Sequence, residues 1–226
     1  MSLTANPFFG VSASIGVFAL GLYINKKAKN PAANPLLIAG ALLIILLAAL
    51  HIPLENYQQG GSLITMLLPP ATAALAIAIY RQIQVLKKHF LPVLLGCLAG
   101  ALTSVGSAYL LCKAFGLDDS LLISLLPKSV TTPIAAELSM QGGGITAITA
   151  AAVVVTGILG AVFAPLLIKL FRISDPVAQG LAIGACSHAV GTSKAVELGE
   201  IQGAMSGIAI GVSGIVTVII LQFFPL

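Results

Sequence analysis

Charge is what this chain has least of. Asp, Glu, Lys and Arg make up 8% of its 226 residues, against about 25% in soluble domains. Hydrophobic residues make up 58%, and the mean hydropathy is +1.06. That balance excludes a soluble core and implies an integral membrane protein. At ~20 apolar residues per spanning helix, the chain has room for roughly six to eight membrane segments. Other absences exclude further classes. No basic stripe interleaved with aromatics is present, so nucleic acid is not an expected partner. Cys97, Cys112 and Cys186 are scattered without CxxC or metal-ligand spacing, and they read as small hydrophobes. No basic segment precedes the first apolar run, which therefore reads as a retained span rather than a signal peptide. No G-x-S-x-G frame surrounds Ser187-His188, and Gly142–Gly144 lacks the strand and lysine of a phosphate loop. An enzyme is not expected.

What charge there is sits in short loops and sets topology. Phe8–Ile24 is followed at once by Lys26, Lys27 and Lys29, which places that end in the cytoplasm and the N-terminus outside. Asn30-Pro31 and Asn34-Pro35 read as turns. Leu36–Leu50 runs outward to a loop at His51, Pro53 and Glu55. Ser62–Tyr80, interrupted at Pro69-Pro70, returns to Arg81, Lys87 and Lys88, with His51 and His89 at span ends. Leu91–Leu111 then leads to Lys113, Asp118 and Asp119.

The next stretch organises the rest. Leu125–Gln141, LLPKSVTTPIAAELSMQ, is an apolar run broken by Pro127, Lys128, two threonines and Pro133. Sixty positions later Val130, Thr132, Ala135, Glu137 and Leu138 recur as Val190, Thr192, Ala195, Glu197 and Leu198. If Ser120–Gln141 crossed the bilayer, Lys169 and Arg172 after Thr146–Phe171 would face the wrong side. A re-entrant hairpin turning near Lys128 leaves them inside. The second copy, Val177–Glu200, then dips from the opposite side and Gly203–Phe224 exits. About six spans plus two broken hairpins in an inverted repeat is the expected all-α architecture, and matched broken helices are the best sequence pointer to a transport site. The glycines at 203, 207, 211 and 214 form a small-residue seam for packing within one subunit.

In each hairpin a helix restarts at the break. Pro133 suits a first helical turn, and Ser129, Thr131 and Thr132 can cap. In the second copy Ser187, Thr192 and Ser193 supply hydroxyls, while Gly191 admits a ligand to the backbone. Two converging helix N-termini, with Lys128 and His188 aligned at the same offset, describe an anion site for a small carboxylate bearing hydroxyl or keto oxygens. Glu137 and Glu197 lie one and a half turns further on. They either couple transport to protons or pair with Lys128 or Lys194 to hold the hairpins; Lys194 can equally snorkel to water. His188 either titrates or serves as a neutral hydrogen-bonding residue. No metal or other cofactor is expected, and the coupling ion, H+ or Na+, stays open.

The segments LLPKSVTTPIAAELS at 125–139 and GACSHAVGTSKAVELGE at 184–200 resemble the two signature segments of the LrgB/CidB family, whose plant relative is the plastidal glycolate/glycerate translocator. The resemblance implies a bacterial inner-membrane protein with one of two roles. One is transport of small monocarboxylates such as pyruvate, lactate, glycolate or glycerate. The alternative is antiholin-like modulation of murein hydrolase activity and autolysis. It also implies a site lined by Lys128, Ser129, Thr131 and Thr132 with His188, Gly191, Thr192 and Ser193. The plant relative carries a fused LrgA-like half that this chain lacks, which implies a separate small LrgA/CidA-like membrane partner. The resulting expectation is an elevator-like carrier. Residues 1–117 would form the scaffold and a homodimer contact. Residues 118–226 would form a transport domain of two units, 118–175 and 176–226.

Overall fold

The computed structural model describes residues 4, 6–28, 35–67, 70, 73, 77, 80 and 83–223. Among them lie ten helices: α1 (Pro7–Ala28), α2 (Pro35–Ala49), α3 (Leu54–Thr65), α4 (Ile83–Lys88), α5 (Phe90–Ala114), α6 (Asp119–Leu125), α7 (Thr132–Gly142), α8 (Thr146–Leu170), α9 (Pro176–Leu198) and α10 (Glu200–Gln222). Four of these, α1, α5, α8 and α10, are long and apolar enough to cross a membrane. At 1.5 Å per residue, the 25 residues of α5 and of α8 each span ~37 Å, beyond the ~30 Å of a hydrocarbon core. The chain is a multi-pass helical membrane protein. The expected span at Leu36–Leu50 is the 15-residue apolar α2. Lys29, the turns at Asn30-Pro31 and Asn34, residues 68–69, 71–72, 74–76 and 78–79 of the expected span Ser62–Tyr80, and Arg81 lie outside the described residues.

The chain divides into two compact units, Met1–Thr72 and Ala73–Leu226, so α5 groups with the broken segments rather than with the first helices as the boundary at 117 would have it. In the first unit α1 packs on α2 and α3. A Cβ on Gly10 would come within 2.4 Å of the Tyr57 carbonyl, and one on Gly60 within 2.1 Å of the Pro7 carbonyl. These glycines let α1 and α3 touch backbone to backbone. Ser14 and Tyr57 then share a hydrogen bond of 2.9 Å. The segment after Pro53 was expected as loop; it is α3, whose polar LENYQQGG face hid a helix that tertiary contact completes.

The second unit is built on α5, α8 and α10. Asp118 caps α6 by accepting from the Leu121 amide at 2.8 Å, and α6 ends at a non-helical break around Lys128. The chain then returns as α7, with Thr131 at its N-cap, Pro133 in its first turn and left-handed Gly143 closing it. The two limbs meet α8 at its start, where the Ile145 amide donates to Ser124 Oγ at 2.7 Å and Thr149 donates to Ser139 Oγ at 2.7 Å. Asp175 caps α9 by accepting from the Val177 and Ala178 amides. That helix is interrupted at His188, at φ 42° and ψ −141°.

The interruption is a reversal, not a bend. Ile183 and Ala195 share one core cluster with Ala164 of α8, although a continuous helix would hold them ~18 Å apart. Ser206 of α10 likewise lies against Gly184 before the break and shares a 2.7 Å hydrogen bond with Thr192 after it. The expected glycine seam divides. Gly203 faces Val196, Gly214 faces Ile134, and Gly207 meets nothing. The close helix contact is instead made by Gly180 and Gly184, where a Cβ would approach the Gln202 and Ser206 carbonyls within 2.4 and 2.3 Å. Four-residue spacing of small residues is the membrane signature for such approach. Gly184→Ala should therefore lower the melting temperature in detergent, by about 1–3 kcal/mol of overpacking. Gly207→Ala should hold or raise it, since helical alanine is favoured by up to ~1 kcal/mol over glycine.

Candidate functional site at the two helix breaks

Both breaks reach the same stretch of α8. Val153 packs its side chain with Val130 and Ala135 of the first broken segment. Its carbonyl lies 2.8 Å from His188 Nε2 of the second. A carbonyl only accepts, so Nε2 carries the proton in this bond, and His188 acts here as a hydrogen-bonding residue. Gly157 and Gly160 make room for it, since a Cβ on either would strike His188 or Ser187. The first segment approaches Val153 from the Ile145 end of α8 and the second from the Ala164 end.

Lys128 lies in the first break. Its Nζ donates to Ser104 Oγ of α5 at 3.2 Å, and Ser104 Oγ also bonds Ser129 Oγ. Cys112 and Cys186 are within its electrostatic reach. No carboxylate of the described residues answers its charge. Among the described residues the ion pairs are Lys113–Asp119 at 3.0 Å and Lys194–Glu197 at 2.7 Å. Glu137 is exposed and accepts from Gln141 Nε2 at 2.7 Å, so neither glutamate faces Lys128. A half-buried ammonium beside apolar walls without a counter-charge is costly, and an incoming anion would relieve that cost.

The hydroxyls differ sharply between the copies. Thr131, 5% exposed, has no hydrogen-bond partner for Oγ1 among the described residues, and it does not cap α7. Thr132 and Pro133 form the first turn of α7 and are half-buried. With Pro133 lacking an amide proton, the first-turn amides of this helix end lack intrahelical partners. The second copy uses its hydroxyls internally. Ser187 donates to the Ile183 carbonyl at 2.6 Å, and Thr192 to the His188 carbonyl at 2.9 Å. Exposed Ser193 donates to the Val190 carbonyl at 2.6 Å. Gly191 is needed for packing, because a Cβ there would lie 2.1 Å from Ser187 Oγ. The open donors thus gather on the first break.

Beside that break lies a cavity of about 260 Å³ whose lining includes Leu126, Pro127, Leu138, Gln141, Leu221 and Gln222. It runs from the exposed amides of Gln141 and Gln222 to buried Pro127, the neighbour of Lys128. The sequence reading missed Ser104, Ser206 and the cavity. The only signal for Ser104 was a group of three hydroxyls, Thr103, Ser104 and Ser107, inside an apolar span. Because the Thr131 hydroxyl is buried without a partner, Thr131→Val should leave stability unchanged or raise it by about 1 kcal/mol. A melting temperature clearly below that of the parent protein would show that the hydroxyl is already satisfied.

The chain was compared with known proteins on this footing. The LrgB-like family matches residues 14–226. Curated relatives named antiholin-like protein LrgB, from Bacillus mycoides (strain KBAB4) and Bacillus cereus (strain B4264), are each 37% identical over 225 residues. That alignment covers 99% of this chain and 98% of theirs. A relative of the same name from Bacillus anthracis (strain CDC 684 / NRRL 3495) matches to the same extent. No solved structure matches the chain. With nearly its whole length aligned, both broken segments included, this protein belongs to the LrgB-like family.

Proposed function

We propose that this chain is an antiholin-like protein of the bacterial inner membrane and that its second unit binds and carries a small monocarboxylate. The two parts have different support. The antiholin-like role, here read as modulation of murein hydrolase activity and autolysis, is favoured by the relatives' name, antiholin-like protein LrgB. The carrier part rests on one observation: Lys128, in the first of two breaks that both reach Val153 of α8, has no carboxylate partner among the described residues. A pore needs only amphipathic spans, whereas two broken segments of like sequence meeting at one residue of α8 suit a gated site.

In this reading the segments form an inverted repeat, since they approach Val153 from opposite ends of α8. The carboxylate takes the unfilled Lys128 donors, the Thr131 hydroxyl and the first-turn amides of α7. Its hydroxyl or keto oxygen reaches Ser129 or Thr132. Glycolate, glycerate, lactate and pyruvate carry that set of acceptors. The unit holding both breaks alternates access between the two faces, with the N-terminus outside. The Lys194–Glu197 pair holds the second segment, and exposed Glu137 accepts from Gln141. A homodimer and a small LrgA/CidA-like membrane partner complete the assembly.

In proteoliposomes, saturable uptake of labelled glycolate or pyruvate, with exchange against unlabelled substrate, is the expected result. Lys128→Ala should reduce it to background while the protein remains folded; undiminished uptake by that variant would remove the anion site. For the antiholin-like part, cells lacking the protein should lyse faster than cells complemented with it. Equal rates would reject that role without touching the carrier.

A further inference from the structure

We infer that Ser104 of α5, which lies outside both broken segments, is a substrate-positioning residue that aims the donors of the first break at the carboxylate. The inference rests on the carrier reading and names a third element of that site.

Ser104 Oγ is the one atom that touches both Lys128 Nζ and Ser129 Oγ. It accepts from the ammonium at 3.2 Å. A hydroxyl has one proton and two lone pairs, and with the ammonium on one lone pair Ser104 can give that proton to Ser129. Ser129 in turn can aim its own proton outward. The result is a chain of donors, Lys128 to Ser104 to Ser129, polarised at its head by a full charge. Thr131, two residues on, ends the series with a buried hydroxyl that has no hydrogen-bond partner among the described residues. Every free group at this tip is able to donate, as the acceptor oxygens of a carboxylate require.

The placement of Ser104 suits a positioning task. It sits near the middle of the 25-residue α5. One stretch of that helix is fixed by Val93 and Cys97 against Leu181 and Ala185, and another by Val105 and Ala108 against Leu122. A hydroxyl anchored on a helix packed along both sides can hold a flexible lysine head still. Ser107, one turn on and exposed, donates to the Ser104 carbonyl instead.

The test uses the full chain in proteoliposomes, with glycolate and pyruvate as probes. Ser104→Ala should raise KM roughly tenfold, as expected for losing a hydrogen bond to a charged group, while the maximal rate changes by less than about twofold. Ser104→Val and Ser104→Thr have the same shape and differ by the hydroxyl alone. Val should behave like Ala, and Thr should restore the parent KM. This pair carries the test should the alanine protein not accumulate. Ser107→Ala should behave as the parent. Equal KM for the Val and Thr proteins, an unchanged KM for Ala, or a lost maximal rate at unchanged KM would each overturn the assignment. Uptake that survives Lys128→Ala fails the carrier reading itself. Uptake abolished by Lys128→Ala but indifferent to Ser104 fails only this inference.

Discussion

Backbone that leaves the helix inside a bilayer has no water to satisfy it, and this single constraint explains how the second unit is built. Irregular segments at membrane depth persist only where protein covers them or a wet cavity lines them. The break at Lys128 meets both conditions and the break at His188 meets the first. They are enclosed by α5, α8 and α10 through Ser104, Val153, Ser206 and Ser213, and the cavity at Pro127 approaches one of them. His188 stands at a positive φ that costs a non-glycine residue of order 1–3 kcal/mol. Its Nε2–H bond to the Val153 carbonyl and the space ceded by Gly157 and Gly160 hold it there.

From that constraint the polarity of the site follows. Each hydroxyl in a dry interior must find a partner or leave a cost unmet. The second segment meets this need with its own carbonyls, through Ser187, Thr192 and Ser193. The first does not: Thr131 is buried without a partner, and Lys128 has a hydroxyl but no carboxylate. Two segments of like sequence therefore differ in their hydrogen bonding. One is a closed structural turn, and the other presents unfilled donors.

Much of this was legible in the sequence, for identifiable reasons. Both breaks could be read because proline, lysine and hydroxyl residues interrupt otherwise unbroken apolar runs, and their sixty-residue offset marks them as a pair. Caps at Asp118 and Asp175 followed from local chemistry but drew no notice. The helix α3 was hidden, since LENYQQGG has the composition of a loop and is held by the meeting of Gly10 with Gly60. Which glycines pack closely was also hidden. Spacing alone marked the 203–214 series as strongly as the pair at 180 and 184, and only tertiary contact separates them. Ser104 could not be singled out because a hydroxyl in an apolar span is common, and its role depends on a lysine twenty-four residues away.

The account depends on the two breaks meeting at one place. In a chain with Cys97 and Cys112 changed to alanine and Lys128 changed to cysteine, native Cys186 supplies the second thiol. A short bifunctional thiol reagent applied to membranes should bridge positions 128 and 186 within one chain, giving a product that single-cysteine controls lack. Failure to bridge, with both thiols shown to be reactive one at a time, would mean that the breaks lie apart and that no shared site exists.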